Sequence, residues 1–188
     1  TQPRAVAANT GIDAISHAVE TAVTTKRTDA SAAFSKRAFE LMIDTFATVL
    51  RDGQNIEARG RMQLGAAVAG MAIERSMLGA AHAAANPLTA RFGVTHGSAV
   101  GLMLPVVVRF NGEDEANARR YRELSGQTPV ELAARLDRLL DVAGISRSLT
   151  AYGVSEAEIG TLAADAAEQW TGTFNPRPVD AGAFAKLY

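Results

Sequence analysis

Residues 128–140 read Thr128-Pro129-Val130-Glu131-Leu132-Ala133-Ala134-Arg135-Leu136-Asp137-Arg138-Leu139-Leu140. A Thr able to cap, a Pro at the first helical position and a Glu three residues after the Thr form a capping box. Leu132, Leu136, Leu139 and Leu140 then recur at helical spacing, so the stretch predicts an amphipathic helix with one apolar stripe. Ser155-Glu156-Ala157-Glu158 repeats the box ahead of Ile159, Leu162, Ala166 and Trp170 and predicts another helix. Upstream, Phe34, Ala38, Leu41, Phe46, Val49 and Leu50 follow Asp29 and Ser31 at helical spacing and stop at Gly53, which predicts one helix across that span. A second long helix is expected from Asn55 through Met62, Leu64, Val68 and Met71 towards Gly79. Alanine makes up about a fifth of the chain, and alternating Val or Ile is almost absent, so helix is favoured over strand nearly everywhere. The predicted fold class is all-α, a single multi-helix domain over residues 1–188.

The chain has 188 residues, 47% of them apolar, enough for one sizeable core. Its net charge of −1 and its lack of a basic stripe argue against a surface that tracks nucleic-acid phosphates. With no cysteine there is no disulfide frame, no thiolate zinc site and no Cys nucleophile, so any metal must be held by imidazole and carboxylate. Thr1 to Ala8 lacks the basic start and apolar run of a secretory leader, which makes a cytoplasmic location the expectation. Between Ser76 and Val108 the only charged residue is Arg91. Arg91 and the polar punctuation argue against a membrane span there, and the segment reads as protein interior. Residues 109–147 mix both signs of charge and read as solvated helix faces. Thr173-Phe174-Asn175-Pro176-Arg177-Pro178 reads as an extended segment before a last short helix.

The three histidines carry the candidate chemistry. His17 follows Asp13 by four positions, which on a helix puts a carboxylate and an imidazole on one face, able to grip one cation. Thr10 and Asp13 also fit a capping box, which would leave His17 an ordinary half-buried histidine. His82 and His96 sit in the uncharged stretch. A buried imidazole needs partners for its ring nitrogens, and a shared ligand explains two of them more economically than two separate polar arrangements, although two independently satisfied core histidines remain the alternative. Pro87 should end a helix at or before Asn86, and Thr95 can cap a new one with His96 in its first turn, so the chain can fold back to bring both rings together. Three imidazoles and one carboxylate suit Fe(II) or Zn(II), and such a centre would act as a Lewis acid on a carbonyl or alkoxide oxygen. No Gly-x-Ser-x-Gly elbow, Ser-His-Asp order or Walker loop competes with this reading.

Gly11-Ile12-Asp13-Ala14-Ile15-Ser16-His17-Ala18-Val19-Glu20, Ala69-Gly70-Met71-Ala72, Leu78-Gly79-Ala80-Ala81-His82, Asn86-Pro87-Leu88, His96-Gly97, Leu104-Pro105, Phe110-Asn111 and Asn175-Pro176-Arg177-Pro178-Val179 occur in that order. Together they resemble the C-terminal helical domain of the iron-containing (group III) alcohol dehydrogenases, within the wider superfamily of glycerol dehydrogenase and dehydroquinate synthase. The resemblance runs from about Ala8 to Tyr188 and uses every histidine. It implies Asp13, His17, His82 and His96 as ligands of a divalent metal, Fe(II) or Zn(II), with His82 and Asn86 at the catalytic centre. It also implies NAD or NADP supplied by an N-terminal nucleotide-binding domain, a small alcohol, aldehyde or ketone as substrate, and a homodimer. Nothing in the chain looks like the Gly-rich phosphate loop of such a domain, so an isolated chain is expected to be incomplete and inactive.

Two departures stand out. The family usually has His at the position of Asn86, often given a proton-relay role, and Asn cannot titrate. Ile73-Glu74-Arg75-Ser76-Met77 replaces an aromatic and small or polar residues, and Arg75 could meet an acidic substrate or the partner domain, or simply be solvated. The leading expectation is the metal-binding domain of an NAD(P)-dependent alcohol dehydrogenase or carbonyl reductase, in which metal polarises the substrate oxygen during hydride transfer. The alternative is a non-catalytic helical module that binds metal structurally or serves as an assembly partner.

Overall fold

A computed structural model describes residues 2–188; Thr1, counted above in the helical domain, lies outside them. Among the described residues there are ten α-helices and no strand. The helices are α1 Arg4–Thr21, α2 Asp29–Met42, α3 Phe46–Arg51, α4 Ile56–Ser76, α5 Ala80–Phe92, α6 His96–Asn111, α7 Glu115–Ser125, α8 Pro129–Ala143, α9 Ile159–Ala167 and α10 Ala181–Leu187. Short 3-10 turns at Leu149–Tyr152, Glu156–Glu158 and Trp170–Phe174 connect the last three. The all-α expectation is what the structure shows. No described helix is long and apolar enough to cross a membrane.

The caps follow local chemistry. Thr128 and Glu131 close the predicted box at α8, the Thr hydroxyl accepting from the Glu131 amide and the carboxylate accepting from the Thr128 amide. Ser155 and Glu158 close a second box, which opens a 3-10 turn that runs into α9. Trp170 falls outside α9, in the following 3-10 turn, and is largely exposed.

Long-range packing overrides two expectations. The helix expected between Asp29 and Gly53 breaks at residues 43–45, where the Thr45 amide donates to Met42 and its hydroxyl accepts from Arg61 on α4. The break turns fully buried Phe46 under α1, against Gly11. Pro87 does not end a helix, because α5 runs through it to Phe92. Proline removes the ladder bond to Ala83 O and crowds that carbonyl; the next carbonyl along, Ala84 O, accepts from the Tyr188 hydroxyl at 2.6 Å. With Ala83, Ala84, Ala85 and Leu88 all fully buried, apolar packing outweighs one lost hydrogen bond. Thr10 and Asp13 are no capping box either. Both lie inside α1, and the Thr10 hydroxyl donates to Val6 O within the helix.

α1 and α5 pack on α6, α8 closes over α6, and α2 with α4 flanks α1. The uncharged segment forms α5 and α6 and is the interior, with Val100, Met103, Val107 and Val108 shielded from solvent. The charged 109–147 region is solvated and cross-linked by pairs such as Arg109 with Asp137 and Arg147 with Asp141, each worth little at a surface.

Candidate metal centre

One face of α1 carries Asp13, His17 and Glu20 at positions i, i+4 and i+7. His82 stands in the first turn of α5 and His96 opens α6. The three imidazole Nε2 atoms converge on a single carboxylate oxygen. From Asp13 Oδ1 the separations are 3.4 Å to His17, 3.4 Å to His82 and 3.6 Å to His96. The His17 and His82 rings stack at 5.0 Å, and His82 and His96 are tilted at 5.5 Å. Asp13, His82 and His96 each offer a ligand atom within 4.8 Å of the others, and His17 joins through Asp13. Every predicted ligand is thus in one cluster.

These separations are long for N–H···O hydrogen bonds. The two of 3.4 Å are what a pair of ligands each about 2.1 Å from one shared divalent ion would show. Asp13 Oδ1 and His82 Nε2 are also buried without any hydrogen-bond partner. Buried polar atoms normally find one, so two orphans facing each other suit a shared cation. Three imidazoles, each neutral once it ligates, and one carboxylate form a donor set that fits Fe(II) or Zn(II).

The electrostatics follow from burial and from the two carboxylates. Burial pushes the His17 imidazole down to about 4, against a partial upward pull from Asp13. Burial acts the same way on His82, but Glu20 and Asp13 on either side outweigh it and hold that ring up at about 9. His96 is lowered, mainly by burial. Burial tends to raise the Asp13 carboxyl, yet the surrounding imidazoles, His82 first, bring it below its ordinary value. The His96 side chain is 41% exposed and that of His82 only 5%, so the cluster opens to the surface on the His96 side.

Gly97 sets how near α6 comes. A Cβ there would lie 2.0 Å from the Asn9 carbonyl oxygen. Only glycine lets the N-terminus of α6 reach α1 one turn before Asp13, and the Ser98 hydroxyl donates to Asn9 Oδ1 at 2.7 Å to fasten the contact.

Two residues that hold the start of α5 were not singled out from the sequence. Glu20 is buried and hydrogen-bonded to His82 Nδ1, and its other oxygen accepts from the Ala81 amide at 2.7 Å. Asn175 accepts from the Ala80 amide and pairs with Asn111, tying the Asn175–Pro178 segment to α6. A signal for Glu20 existed. It shares the α1 face with Asp13 and His17, and a histidine that ligates through one nitrogen needs an acceptor for the other. Asn86 sits one turn after His82 and donates to Gln169 Oε1 at 2.9 Å. Arg75 is engaged locally, its guanidinium 5.5 Å from the Phe34 ring centre and donating to Met71 O.

Residues 7–188, nearly the whole chain, match the C-terminal part of the Fe-containing alcohol dehydrogenase family. The chain belongs to this family. It is 30% identical to a 1-propanol dehydrogenase of Salmonella typhimurium over 98% of this chain and 54% of that protein. It is 31% identical to a 1,3-propanediol dehydrogenase of Klebsiella pneumoniae over 94% of this chain and 48% of that protein. In structure it resembles a 1,3-propanediol oxidoreductase with a TM-score of 0.91 and 28% identity, covering 100% of this chain and 52% of the other. A sulfoacetaldehyde reductase of Bifidobacterium kashiwanohense, solved with NAD+, shares the fold at a TM-score of 0.93 and 23% identity, covering half of that chain. This member of the family therefore spans about half the length of the relatives it matches.

Proposed function

We propose that this chain is the metal-holding helical half of an NAD(P)-dependent alcohol dehydrogenase or carbonyl reductase. The observation that carries the reading is the convergence of three Nε2 atoms on one unpartnered Asp13 oxygen. Asp13, His17, His82 and His96 would hold a divalent ion, Fe(II) or Zn(II), and a nucleotide-binding half outside this chain would hold NAD or NADP. When bound, the ion supplies Lewis acidity to a substrate oxygen and the nicotinamide supplies or takes the hydride.

This chain's residues provide geometry. Buried His82, gripped by Glu20, is the rigid ligand, and the two α1 ligands are fixed on one helical face. The exposed edge at His96 is where a small alcohol, aldehyde or ketone enters. Among the described residues none donates to Asn86 Oδ1, so that oxygen can accept from a substrate hydroxyl. Asn86 cannot relay a proton, and proton release to solvent then runs without a titrating side chain at this position.

The test is elemental analysis of protein purified without added metal, together with His82→Ala and His96→Ala. One ion per chain, lost in both variants, supports the reading. Full occupancy in either variant overturns the ligand assignment.

A further inference from the structure

We propose that Glu20 is the positioning residue of this centre, its two carboxylate oxygens holding His82 with Nδ1 protonated and Nε2 free to ligate. The proposal rests on the metal reading above. Glu20 is 3% exposed and reaches from α1 to the first turn of α5. That turn has orphan amides, and its N-cap, Gly79, has no side chain to satisfy them. Asn175 Oδ1 takes the Ala80 amide at 3.3 Å, and Glu20 Oε1 takes the Ala81 amide at 2.7 Å. Glu20 Oε2 takes His82 Nδ1. A Cβ on residue 79 would sit 3.0 Å from Glu20 Oε1 and 3.1 Å from Asn175 Oδ1, so the bare Gly79 leaves room for both.

The residue type follows from counting donors. The Ala81 amide can only donate, and His82 must also donate from Nδ1 if Nε2 is to present a lone pair towards Asp13. Two donors need two acceptors on one short side chain, which a carboxylate offers and a carboxamide does not. In Glu20→Gln, the single oxygen goes to one donor and the NH2 group meets the other. If the oxygen keeps Ala81, the imidazole proton is driven to Nε2, where it faces Asp13 and blocks ligation. If the oxygen keeps His82, two donors oppose each other at the start of α5. A carboxylate required only to cap α5 would be replaced by Gln without consequence for the imidazole.

The experiment uses the 188-residue chain titrated with Co(II), read by its visible absorption, and with Zn(II) by competition, with circular dichroism as the check on folding. Glu20→Gln is expected to weaken both metals about 10- to 100-fold while the helical signal is retained. Gly79→Ala, which crowds Glu20 Oε1 and Asn175 Oδ1 and touches no ligand, is expected to weaken them in the same direction. Nitrogen-15 NMR of the Zn(II)-loaded parent is expected to show His82 protonated at Nδ1. Parent affinity in a folded Glu20→Gln, or a His82 Nδ1 without a proton in the loaded parent, overturns the positioning role. A parent chain that takes up neither metal overturns the centre itself, a separate result. Should Glu20→Gln not fold, Gly79→Ala and the NMR assignment decide.

Discussion

Gly97 and Asn9 touch backbone to backbone: a Cβ on the first would lie 2.0 Å from the carbonyl oxygen of the second. This contact seats the start of α6 on α1, one turn before Asp13, and thereby sets the separation of 3.6 Å between His96 and Asp13. Gly97→Ala must push the helices apart, because neither partner is the flexible end of a side chain. We expect at least about tenfold weaker Zn(II) binding, the loss typical of a disturbed ligand support, together with a lower melting temperature. Metal titration and thermal melts check both, and unchanged affinity would show that α6 does not need this seat.

Metal removal should destabilise the fold. A ligand at about one hundred times its dissociation constant stabilises the native state by about 2.7 kcal/mol, which for a chain of this size is a melting shift of about 5–11 °C. A chelator should lower the melting temperature by that order and added Zn(II) should restore it. The shift should vanish in Asp13→Ala, where the carboxylate at the centre of the cluster is gone.

Leu88 is fully buried on α5, one residue past Pro87. Leu88→Ala leaves a cavity and should cost about 2–5 kcal/mol. Urea unfolding checks this. A loss below about 1 kcal/mol would mean that α5 does not depend on core packing to continue through its proline.

At α8 the Glu131 carboxyl lies below its ordinary value because the backbone and then the side chain of Thr128 donate to it. A lowered folded-state value means stability that is present above the unfolded value near 4.5 and lost as pH falls through the folded one. Glu131→Ala should therefore melt below the parent at neutral pH, with the gap closing as the solution is acidified through that range. Melts across a pH series would show it. A gap constant with pH would assign the effect to helix propensity alone.

Much of this was legible in the residues. The boxes at Thr128 and Ser155 are local and formed as read. The three histidines stood out because the chain has no other nitrogen or sulfur ligands of that kind, and Asp13 with His17 obeyed helical spacing. The break at residues 43–45 carries no Gly or Pro, so nothing local announced it; the burial of Phe46 under Gly11 demands it. Pro87 announced an end that did not occur, because the apolar interior that buries Leu88 is assembled from residues far away in sequence. Glu20 was visible within a family-like run but had no stated task until α5 brought Ala81 and His82 to it.

Periodicity, capping chemistry and the inventory of side chains are properties of neighbours along the chain, and they sufficed for the helical class and for picking out the histidines and Asp13 as candidates, while the set of four ligands came from the family resemblance. Where those residues meet depends on how closely the helices approach. Gly97 against Asn9 and Glu20 against the first turn of α5 are contacts between residues tens of positions apart, set by the packing of the whole core.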